Sequence, residues 1–314
     1  MSIAFSVAIP AYNSAPFIGE TLDAILNQTY PPAEVVVVDD GSTDDTAAIL
    51  NRYAHRVRSL RITNSGPGMA RKTAIELCTS AWIALCDSDD VWNPDYLNRK
   101  VCLIDRFPDI NLACANFASF GPGAAPRHTH QPPVGWRETF AEVEDRDFVL
   151  LNDPYRAFLN FNIAYLSGTA FTMGLYQKIG GINPQYSRKI AEDVDLTSRL
   201  ALHPTARTGY DQHLCWNYRR HPTNFSTSAE YRNLLGSALI LQDHLSTGLI
   251  PLQRIPQVSQ EVANRKKTAF LSAYWVGCYA EALDIYRTLP ATAKPFKLRL
   301  QAMCCKFYTI TTLS

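Results

Sequence analysis

Short apolar runs rich in β-branched residues alternate with segments of helical spacing from residue 5 to about residue 117. This alternation is typical of a largely parallel sheet whose faces are covered by helices. The apolar runs predict strands at residues 5–9, 34–38, 57–62, 82–86 and 112–117. The fold class that follows is α/β, with a Rossmann-like, mainly parallel sheet flanked by helices.

The pattern changes after residue 118. Residues 119–137 are rich in glycine and proline and predict a long loop or flap. Trp136 and the histidines of this loop are candidates for contact with a ligand. Beyond it we expect a strand near 163–171, a turn at Gly180 and Gly181, and a helix at 192–202.

From residue 226 the composition is helical, and helices are predicted near 229–246, 258–286 and 293–308. We therefore expect one domain at 1–226, with halves at 1–118 and 119–226, and a C-terminal helical subdomain at 227–314.

Composition excludes several classes of protein. Hydrophobic residues make up 46% and charged residues 19% of the chain, which suits a folded protein with an apolar core. The net charge of +1 gives no electrostatic reason for nucleic-acid binding. The first apolar run is interrupted at Pro10, so we expect it not to be a secretion leader. The eight cysteines form no Cys-x-x-Cys pair. We expect a cytoplasmic protein with reduced thiols.

Polar residues follow the first, second and fourth predicted strands. These segments are Pro10-Ala11-Tyr12-Asn13, Asp39-Asp40-Gly41-Ser42 and Asp87-Ser88-Asp89-Asp90. The carboxyl ends of parallel strands meet at one edge of a sheet, where ligands bind. A helix is also expected after Ser42, which can cap it.

The closely spaced acids Asp87, Asp89 and Asp90 suit a hard divalent cation, Mg²⁺ or Mn²⁺. The alternative is a solvated acidic turn, but the buried-looking strand before it favours the metal site. No Gly-x-Gly-x-x-Gly turn or Gly-Lys-Ser/Thr phosphate loop follows the first strand. Any phosphates must therefore be bound through the acidic motif and its metal ion.

Six segments in order resemble the motifs of glycosyltransferase family 2, which has the GT-A fold. They are Ser6-Val-Ala-Ile-Pro-Ala-Tyr-Asn13, Val35-Val-Val-Val-Asp-Asp-Gly-Ser-Thr-Asp44, Gly66-Pro-Gly-Met-Ala-Arg71, Leu85-Cys-Asp-Ser-Asp-Asp90, Gly180-Gly-Ile182 and Glu192-Asp193. The resemblance covers most of the first 226 residues and makes 1–226 a GT-A catalytic domain, with a nucleotide-sugar half at 1–118 and an acceptor half at 119–226.

The resemblance implies a role for each matching residue. The nucleotide-binding set is Pro10, Ala11, Tyr12, Asn13, Asp39, Arg71, Asp87 and Ser88. Within it, Asp39 accepts from the base imide and Asp87 lies near the ribose. Arg71 meets the nucleotide or its phosphates, although a surface arginine is the alternative. Asp89 coordinates Mn²⁺ or Mg²⁺ and His221 completes the metal shell, while Asp90 serves that shell or a helix N-terminus.

The resemblance also implies the chemistry. Asp193 is the general base for the acceptor hydroxyl and Glu192 helps to position it, although an acidic pair at a helix N-terminus is also favoured by the dipole. An inverting transfer from a nucleoside-diphosphate sugar, preferably a UDP-sugar, to a saccharide or lipid-linked acceptor follows, in surface polysaccharide or glycolipid synthesis. Two alternatives are a sugar nucleotidyltransferase, whose glycine- and lysine-rich loop is missing, and a non-catalytic nucleotide-sugar-binding subunit.

Residues 285–314 contain five basic side chains and no acidic one. Phe296, Leu300, Met303 and Phe307 share one face of the predicted helix there. This face either rests on an anionic membrane surface, at the inner face of the membrane, or packs on the rest of the protein.

Overall fold

The computed structural model describes residues 3–122, 136–142, 147–222, 224 and 230–311. Most of the loop predicted at 119–137 therefore lies outside the described residues. The chain divides into two compact units. We call Met1–Arg188 with Asp195–His221 the sheet unit, and Lys189–Val194 with Pro222–Ser314 the helical unit.

Within the described residues, ten strands form one mixed sheet in the sheet unit. They are β1 (Phe5–Ala11), β2 (Glu34–Asp39), β3 (Arg58–Arg61), β4 (Trp82–Leu85), β5 (Val91–Trp92), β6 (Leu112–Phe120), β7 (Phe140–Glu142), β8 (Phe148–Leu151), β9 (Ala170–Thr172) and β10 (Thr208–Arg219). The strand order is β3-β2-β1-β4-β9-β6-β10-β8-β7, and β5 pairs with β10.

The first half of the sheet follows the predicted pattern. Strand β1 is buried along its whole length and pairs in parallel with β2 and β4. A strand covered on both faces is apolar throughout, as its sequence is. Ala11 lies opposite Asp39, and Ala8 lies opposite Leu85. The carboxyl ends of β1, β2 and β4 therefore meet at one edge.

Helices of the sheet unit cover this sheet. They are α1 (Ile18–Leu26), α2 (Thr46–Arg52), α3 (Pro67–Leu77), α4 (Tyr96–Arg106), α5 (Pro154–Asn160), α6 (Met173–Lys178) and α7 (Asp193–Leu202), whose first two residues belong to the helical unit. Apolar spacing places Ile18, Leu22 and Ile25 on the buried face of α1. Ser42 was the wrong cap, because α2 begins later, at Thr46, and Asp44 accepts from the Thr46 N–H instead.

The second half of the sheet departs from the prediction. The strand expected near 163–171 is only β9, which is antiparallel to β4 and β6. Strand β10 was not predicted, because its interior is polar and bulged. Its buried Asp211 accepts two hydrogen bonds from Arg99, at 2.7 and 2.8 Å, and this ion pair makes a charged residue tolerable inside a strand.

The helical unit contains α8 (Glu230–Ser246), α9 (Ile255–Trp275), α10 (Tyr279–Thr288) and α11 (Phe296–Thr311). The single helix predicted at 258–286 is two helices, separated where Gly277 takes a φ of 80° that ends α9. Phe270, Ile285 and Leu298 belong to the core of this unit. Among the described residues, which include every cysteine, no disulfide forms, and no helix is long and apolar enough to cross a bilayer.

Candidate active site

The loops after β1 and β2 are tied together at the shared edge. Asn13 takes a φ of 48°, donates its backbone N–H to the Ser42 hydroxyl at 2.9 Å and accepts from the Thr43 N–H at 2.8 Å. Pro10 and Ala11 are buried beneath, while half of the Tyr12 surface is exposed. These hydrogen bonds fix the two loops against each other and leave the Tyr12 ring exposed at the edge of the sheet.

Asp39 ends β2 and is almost fully buried. Its Oδ1 accepts from the Ser42 N–H at 2.8 Å, whereas its Oδ2 has no hydrogen-bond partner. Arg61, whose side chain is mostly exposed, forms an ion pair with Oδ2 at 3.6 Å. A buried carboxylate oxygen without a hydrogen bond costs folding free energy. This position therefore favours a ligand that donates a hydrogen bond to Oδ2.

Asp40 has a structural role. Its two carboxylate oxygens accept from the backbone N–H groups of Ser65 and Gly66, at 2.6 and 2.8 Å. These bonds hold the loop that precedes α3.

The same loop packs closely on the segment around Ser187. The Ser187 hydroxyl donates to the Ser65 carbonyl at 2.9 Å and accepts from the Met69 N–H at 2.7 Å. A Cβ on Gly68 would lie 2.8 Å from Ser187 Cα, closer than side chains approach backbone. The Gly-Pro-Gly sequence is therefore needed for this contact, and Ser187, which stands six residues before Asp193, was missed because a lone serine carries no spacing signal.

Gly68→Ala is expected to lower the free energy of unfolding by about 1–3 kcal/mol, because the added methyl group forces backbone apart. The matched control is Gly174→Ala in α6, where nothing lies within 4 Å of the new Cβ. That control should be neutral or stabilise slightly, since alanine favours helix. Denaturant unfolding of both variants measures the difference, and equal stabilities would contradict the close contact.

Arg71 is a buried residue of α3, so the alternative of a surface arginine is wrong. Its guanidinium donates to Asp87 Oδ1 at 2.9 Å, and Asp87 itself remains about one third exposed. The Asp87 N–H donates to the Ser167 hydroxyl at 2.9 Å. Arg71 thus balances one charge of the acidic motif and fixes its side chain.

Ser88 and Asp90 are buried on the inner side of the acidic motif. The Ser88 and Ser14 hydroxyls lie 2.6 Å apart, and Thr21 donates to the carbonyls of both motif residues. Asp90 accepts from the Ser167 hydroxyl at 2.5 Å and from the Arg219 N–H at 3.0 Å. Burial and the charges of Asp89 and Asp87 raise the pKa of Asp90 well above its usual range. Asp90 holds the motif in place through these buried hydrogen bonds. It does not lie at a helix N-terminus, and it is not accessible to a ligand.

Asp89 is the motif carboxylate that meets His221. Its Oδ2 lies 3.0 Å from His221 Nε2. Burial and the charge of Asp87 raise the pKa of Asp89, and the hydrogen bond from His221 partly offsets this. Two atoms bound to one octahedral cation at about 2.1 Å each would be about 3.0 Å apart, so the spacing of this pair is compatible with Mg²⁺ or Mn²⁺. The cation would replace the hydrogen bond between the two side chains.

Protein ligands alone would not complete such a site. Within the described part of the chain, no group of three His, Cys, Asp or Glu side chains is arranged to hold a metal. A cation at Asp89 and His221 would take its other oxygen ligands from water and from substrate phosphates. Metal and diphosphate binding are then expected to depend on each other.

Two aromatic rings and one arginine support this pair. The Phe17 ring lies against His221 with centroids 4.2 Å apart and the ring planes tilted by 30°. Arg219 lies over Phe17 and Phe120, donates to the Asp89 carbonyl at 2.7 Å and pairs with Glu20 at 2.6 Å. Sequence reasoning missed these supports, because Phe17 and Glu20 resemble ordinary residues of an amphipathic helix.

Glu192 and Asp193 stand at the beginning of α7, in the part of the chain that belongs to the helical unit. The residue before them, Ala191, takes a φ of 64°. A non-glycine residue rarely adopts this conformation, and such strain is concentrated at functional sites. Trp136, by contrast, is buried against Phe140 and Tyr210 and is a core residue, so the idea that it contacts a ligand is wrong.

The chain matches the family model described as Glycosyl transferase family 2 over residues 6–172, more than half of its length. It is 44% identical over 112 residues to a chondroitin synthase of Escherichia coli, covering 35% of this chain and 16% of the relative. It is 37% identical over 108 residues to the poly(ribitol-phosphate) beta-N-acetylglucosaminyltransferase TarS of Staphylococcus aureus, covering 32% and 19%. The chain spans less than a fifth of the length of these curated relatives.

Solved structures share the fold. TarS 1–349 of S. aureus in complex with UDP aligns with a TM-score of 0.56 at 21% identity, over 96% of this chain and 89% of that one. A mannosyltransferase, PcManGT from Pyrobaculum calidifontis, in complex with GDP-Man and Mn²⁺, aligns with a TM-score of 0.58 at 17% identity, over 99% and 88%. These similarities confirm the predicted α/β fold class.

Proposed function

The chain belongs to glycosyltransferase family 2 and has the GT-A fold, and from this premise we propose an inverting, metal-dependent transfer of a sugar from a nucleoside-diphosphate sugar. The acceptor is a hydroxyl group of a saccharide or of a lipid-linked saccharide. The product would enter a surface polysaccharide or a glycolipid, as the names of the related synthases suggest.

The observation that carries the donor proposal is the buried Oδ2 of Asp39, which lacks a hydrogen bond. The imide N–H of uracil would donate to this oxygen, beside the exposed Tyr12 ring that offers a base a surface to pack on. Cytosine has an acceptor at the equivalent ring position and would be repelled. UDP-sugars are therefore the proposed donors, in line with the complex of UDP with TarS.

Asp89 and His221 would hold the divalent cation, Mn²⁺ or Mg²⁺. When bound, the cation supplies charge neutralisation for the departing diphosphate. Arg71 orients the Asp87 carboxylate through their hydrogen bond of 2.9 Å. Phe17 and Arg219 hold His221 and the Asp89 backbone in place, so the site is organised before the donor binds.

Asp193 would remove the proton of the acceptor hydroxyl as its oxygen attacks the anomeric carbon. The bond from that carbon to the diphosphate oxygen breaks in the same displacement, so the anomeric centre inverts. Glu192 would position the acceptor or the base. The strained backbone at Ala191 supports a functional role for the two acids that follow it.

A nucleotidyltransferase no longer competes, because the chain belongs to a glycosyltransferase family. The second candidate function is a subunit that binds nucleotide sugars without transferring them. Such a subunit needs no proton acceptor. A loss of turnover without a loss of donor binding on substituting Asp193 therefore separates the two functions.

Asp39→Asn tests the donor proposal, because the amide group presents a donor where the carboxylate accepts. We expect UDP affinity to fall roughly 10- to 100-fold, the range for a hydrogen bond to a charged group, with a smaller change for CDP. Asp45→Asn is the matched control, since it removes an exposed charge from the same loop without a side-chain cap. Thermal shifts with UDP, GDP and CDP measure the effect, and a wild-type preference for GDP or CDP would contradict UDP as the donor nucleotide.

A further inference from the structure

The exposed face of α11 is the most unusual surface of the helical unit. Phe296, Met303 and Phe307 are 74%, 67% and 65% exposed, and Leu300 is exposed as well. At about 100° per residue these four side chains fall within about 60° of one another around the helix axis. They form a continuous apolar stripe, which we call the α11 stripe.

The four side chains of the α11 stripe remain largely exposed within the part of the chain that the structure describes. Leu298, Ala302 and Cys305, on the opposite side of the helix, are the residues that enter the core of the helical unit. Of the two possibilities that the sequence left open, the exposure of the stripe favours contact with a membrane surface over packing on the protein. Helix α11 is held by one apolar face and presents a second one to its surroundings.

Cations flank the α11 stripe on both sides. Lys297 lies on one side, and Arg299 and Lys306 lie on the other, and all three are exposed. No acidic residue occurs anywhere between residues 285 and 314. An apolar band bordered by basic side chains matches a surface that is apolar inside and negatively charged outside.

Aromatic contacts extend this surface beyond α11. Tyr308 stacks on Tyr279 with centroids 4.8 Å apart, and Tyr279 contacts Tyr274 at 5.9 Å. Tyr274 in turn contacts Trp275, which is 74% exposed at the end of α9. Tryptophan and tyrosine are enriched at the boundary between hydrocarbon and water, because one end of each is apolar and the other polar.

A second copy of the chain is a poor partner for the stripe. The spacing of 296, 300, 303 and 307 is that of a coiled-coil seam, so Lys297, Arg299 and Lys306 would occupy the flanking positions. Opposed copies would bring these cations together, with no acid on the helix to pair with them. The charge pattern therefore disfavours self-association and favours an anionic bilayer.

We propose that the α11 stripe, with its flanking cations and the exposed Trp275, docks the helical unit on the surface of a membrane that contains anionic lipid. The helix lies in the plane of the interface and does not cross the bilayer. This docking does not depend on transferase activity, and it would bring a lipid-linked acceptor to the same surface as the enzyme.

Cosedimentation with vesicles of phosphatidylcholine and phosphatidylglycerol tests the proposal on the full chain. We expect binding at about 0.05 M salt, strong weakening at about 0.5 M salt, and little binding to phosphatidylcholine alone. Lys297→Gln with Lys306→Gln should weaken binding roughly 25-fold, since each cation near the surface contributes about fivefold.

Phe296→Ser with Met303→Ser should weaken vesicle binding roughly 30-fold or more at low salt. The matched control is Leu252→Ser, which removes an apolar side chain of the same unit that is 83% exposed but lies outside α11. Thermal unfolding checks that each variant is folded.

The proposal would be overturned if the wild-type chain did not sediment with anionic vesicles at low salt. It would also be overturned if the serine pair bound as well as the wild type. A lipid-free dimer, seen by analytical ultracentrifugation, that the serine pair converts to monomer would overturn it too, because the stripe would then bind a second copy.

Discussion

Asp193→Asn is expected to reduce sugar transfer by roughly 10²- to 10⁴-fold while leaving UDP binding close to that of the wild type. The substitution keeps the size of the side chain and removes its ability to accept a proton, and this is the range that general-base catalysis contributes. The reduction should appear in kcat and kcat/KM together, because proton removal occurs only in the transition state. Steady-state rates of UDP release with donor and acceptor measure it.

Glu192→Gln is the matched control for this result, since it removes the neighbouring carboxylate of the same helix start. We expect a loss of less than roughly tenfold for a residue that only positions the acceptor. If Glu192→Gln abolishes transfer and Asp193→Asn does not, the base is Glu192. Full turnover by both variants would contradict a carboxylate base at this position. UDP binding without any transfer by the wild-type chain would instead favour a non-catalytic binding subunit.

Asp89→Asn is the second substitution with a large expected effect. It should remove most of the difference in UDP-dependent thermal stabilisation between Mn²⁺ and EDTA, and it should reduce transfer roughly 1000-fold. The physical reason is the loss of a charged metal ligand, since a cation at the leaving group contributes several kcal/mol to transition-state stabilisation. The variant should remain folded, because Asp90, and not Asp89, carries the buried anchoring bonds.

Asp109→Asn serves as the control for Asp89→Asn, because Asp109 is an exposed carboxylate outside the site. It should leave the response to Mn²⁺ unchanged. Equal stabilisation by UDP in Mn²⁺ and in EDTA, in the wild-type chain, would show that the nucleotide binds without a metal and would remove the assigned role of Asp89 and His221.

The first half of the fold was predictable because its signal is local. Strands β1, β2 and β4 are buried on both faces, so apolar runs mark them, and parallel pairing then places the three polar segments at one edge. The second half was less predictable. Strand β10 contains Asp211, which is tolerated because Arg99, 112 residues away in the chain, neutralises it. No local sequence pattern predicts a partner this far away in the chain.

The site shows the same division. The acids of the motif were evident from sequence, but their different surroundings were not. Asp87 is paired with Arg71, Asp89 faces His221, and Asp90 is enclosed by hydrogen bonds. These differences arise from residues that tertiary contacts bring together, such as Ser167 and Arg219. The family resemblance identified the acidic motif. The structure shows that each of its three carboxylates has different neighbours.

The α11 stripe was visible in the sequence as an amphipathic pattern, but the pattern alone did not say which face is buried. Two faces of this helix are apolar, and only packing distinguishes them. Leu298, Ala302 and Cys305 are buried, whereas the larger side chains of the stripe are exposed. A sequence rule that buries the largest apolar residues gives the wrong face here.

Calorimetric titration of UDP into the full chain, in Mn²⁺ and in EDTA, tests the central claim most directly. Asp39 Oδ2 is a buried oxygen without a hydrogen bond, and Asp89 Oδ2 lies 3.0 Å from His221 Nε2. In the proposed site, a nucleotide base binds at the first and a divalent cation binds at the second. We predict one UDP bound per chain in Mn²⁺, with affinity at least tenfold weaker in EDTA and in each of Asp39→Asn and Asp89→Asn. Two results would contradict a metal-dependent nucleotide site at this edge. One is that UDP binding is undetectable in Mn²⁺, and the other is that the wild type has the same affinity in both buffers as the two variants.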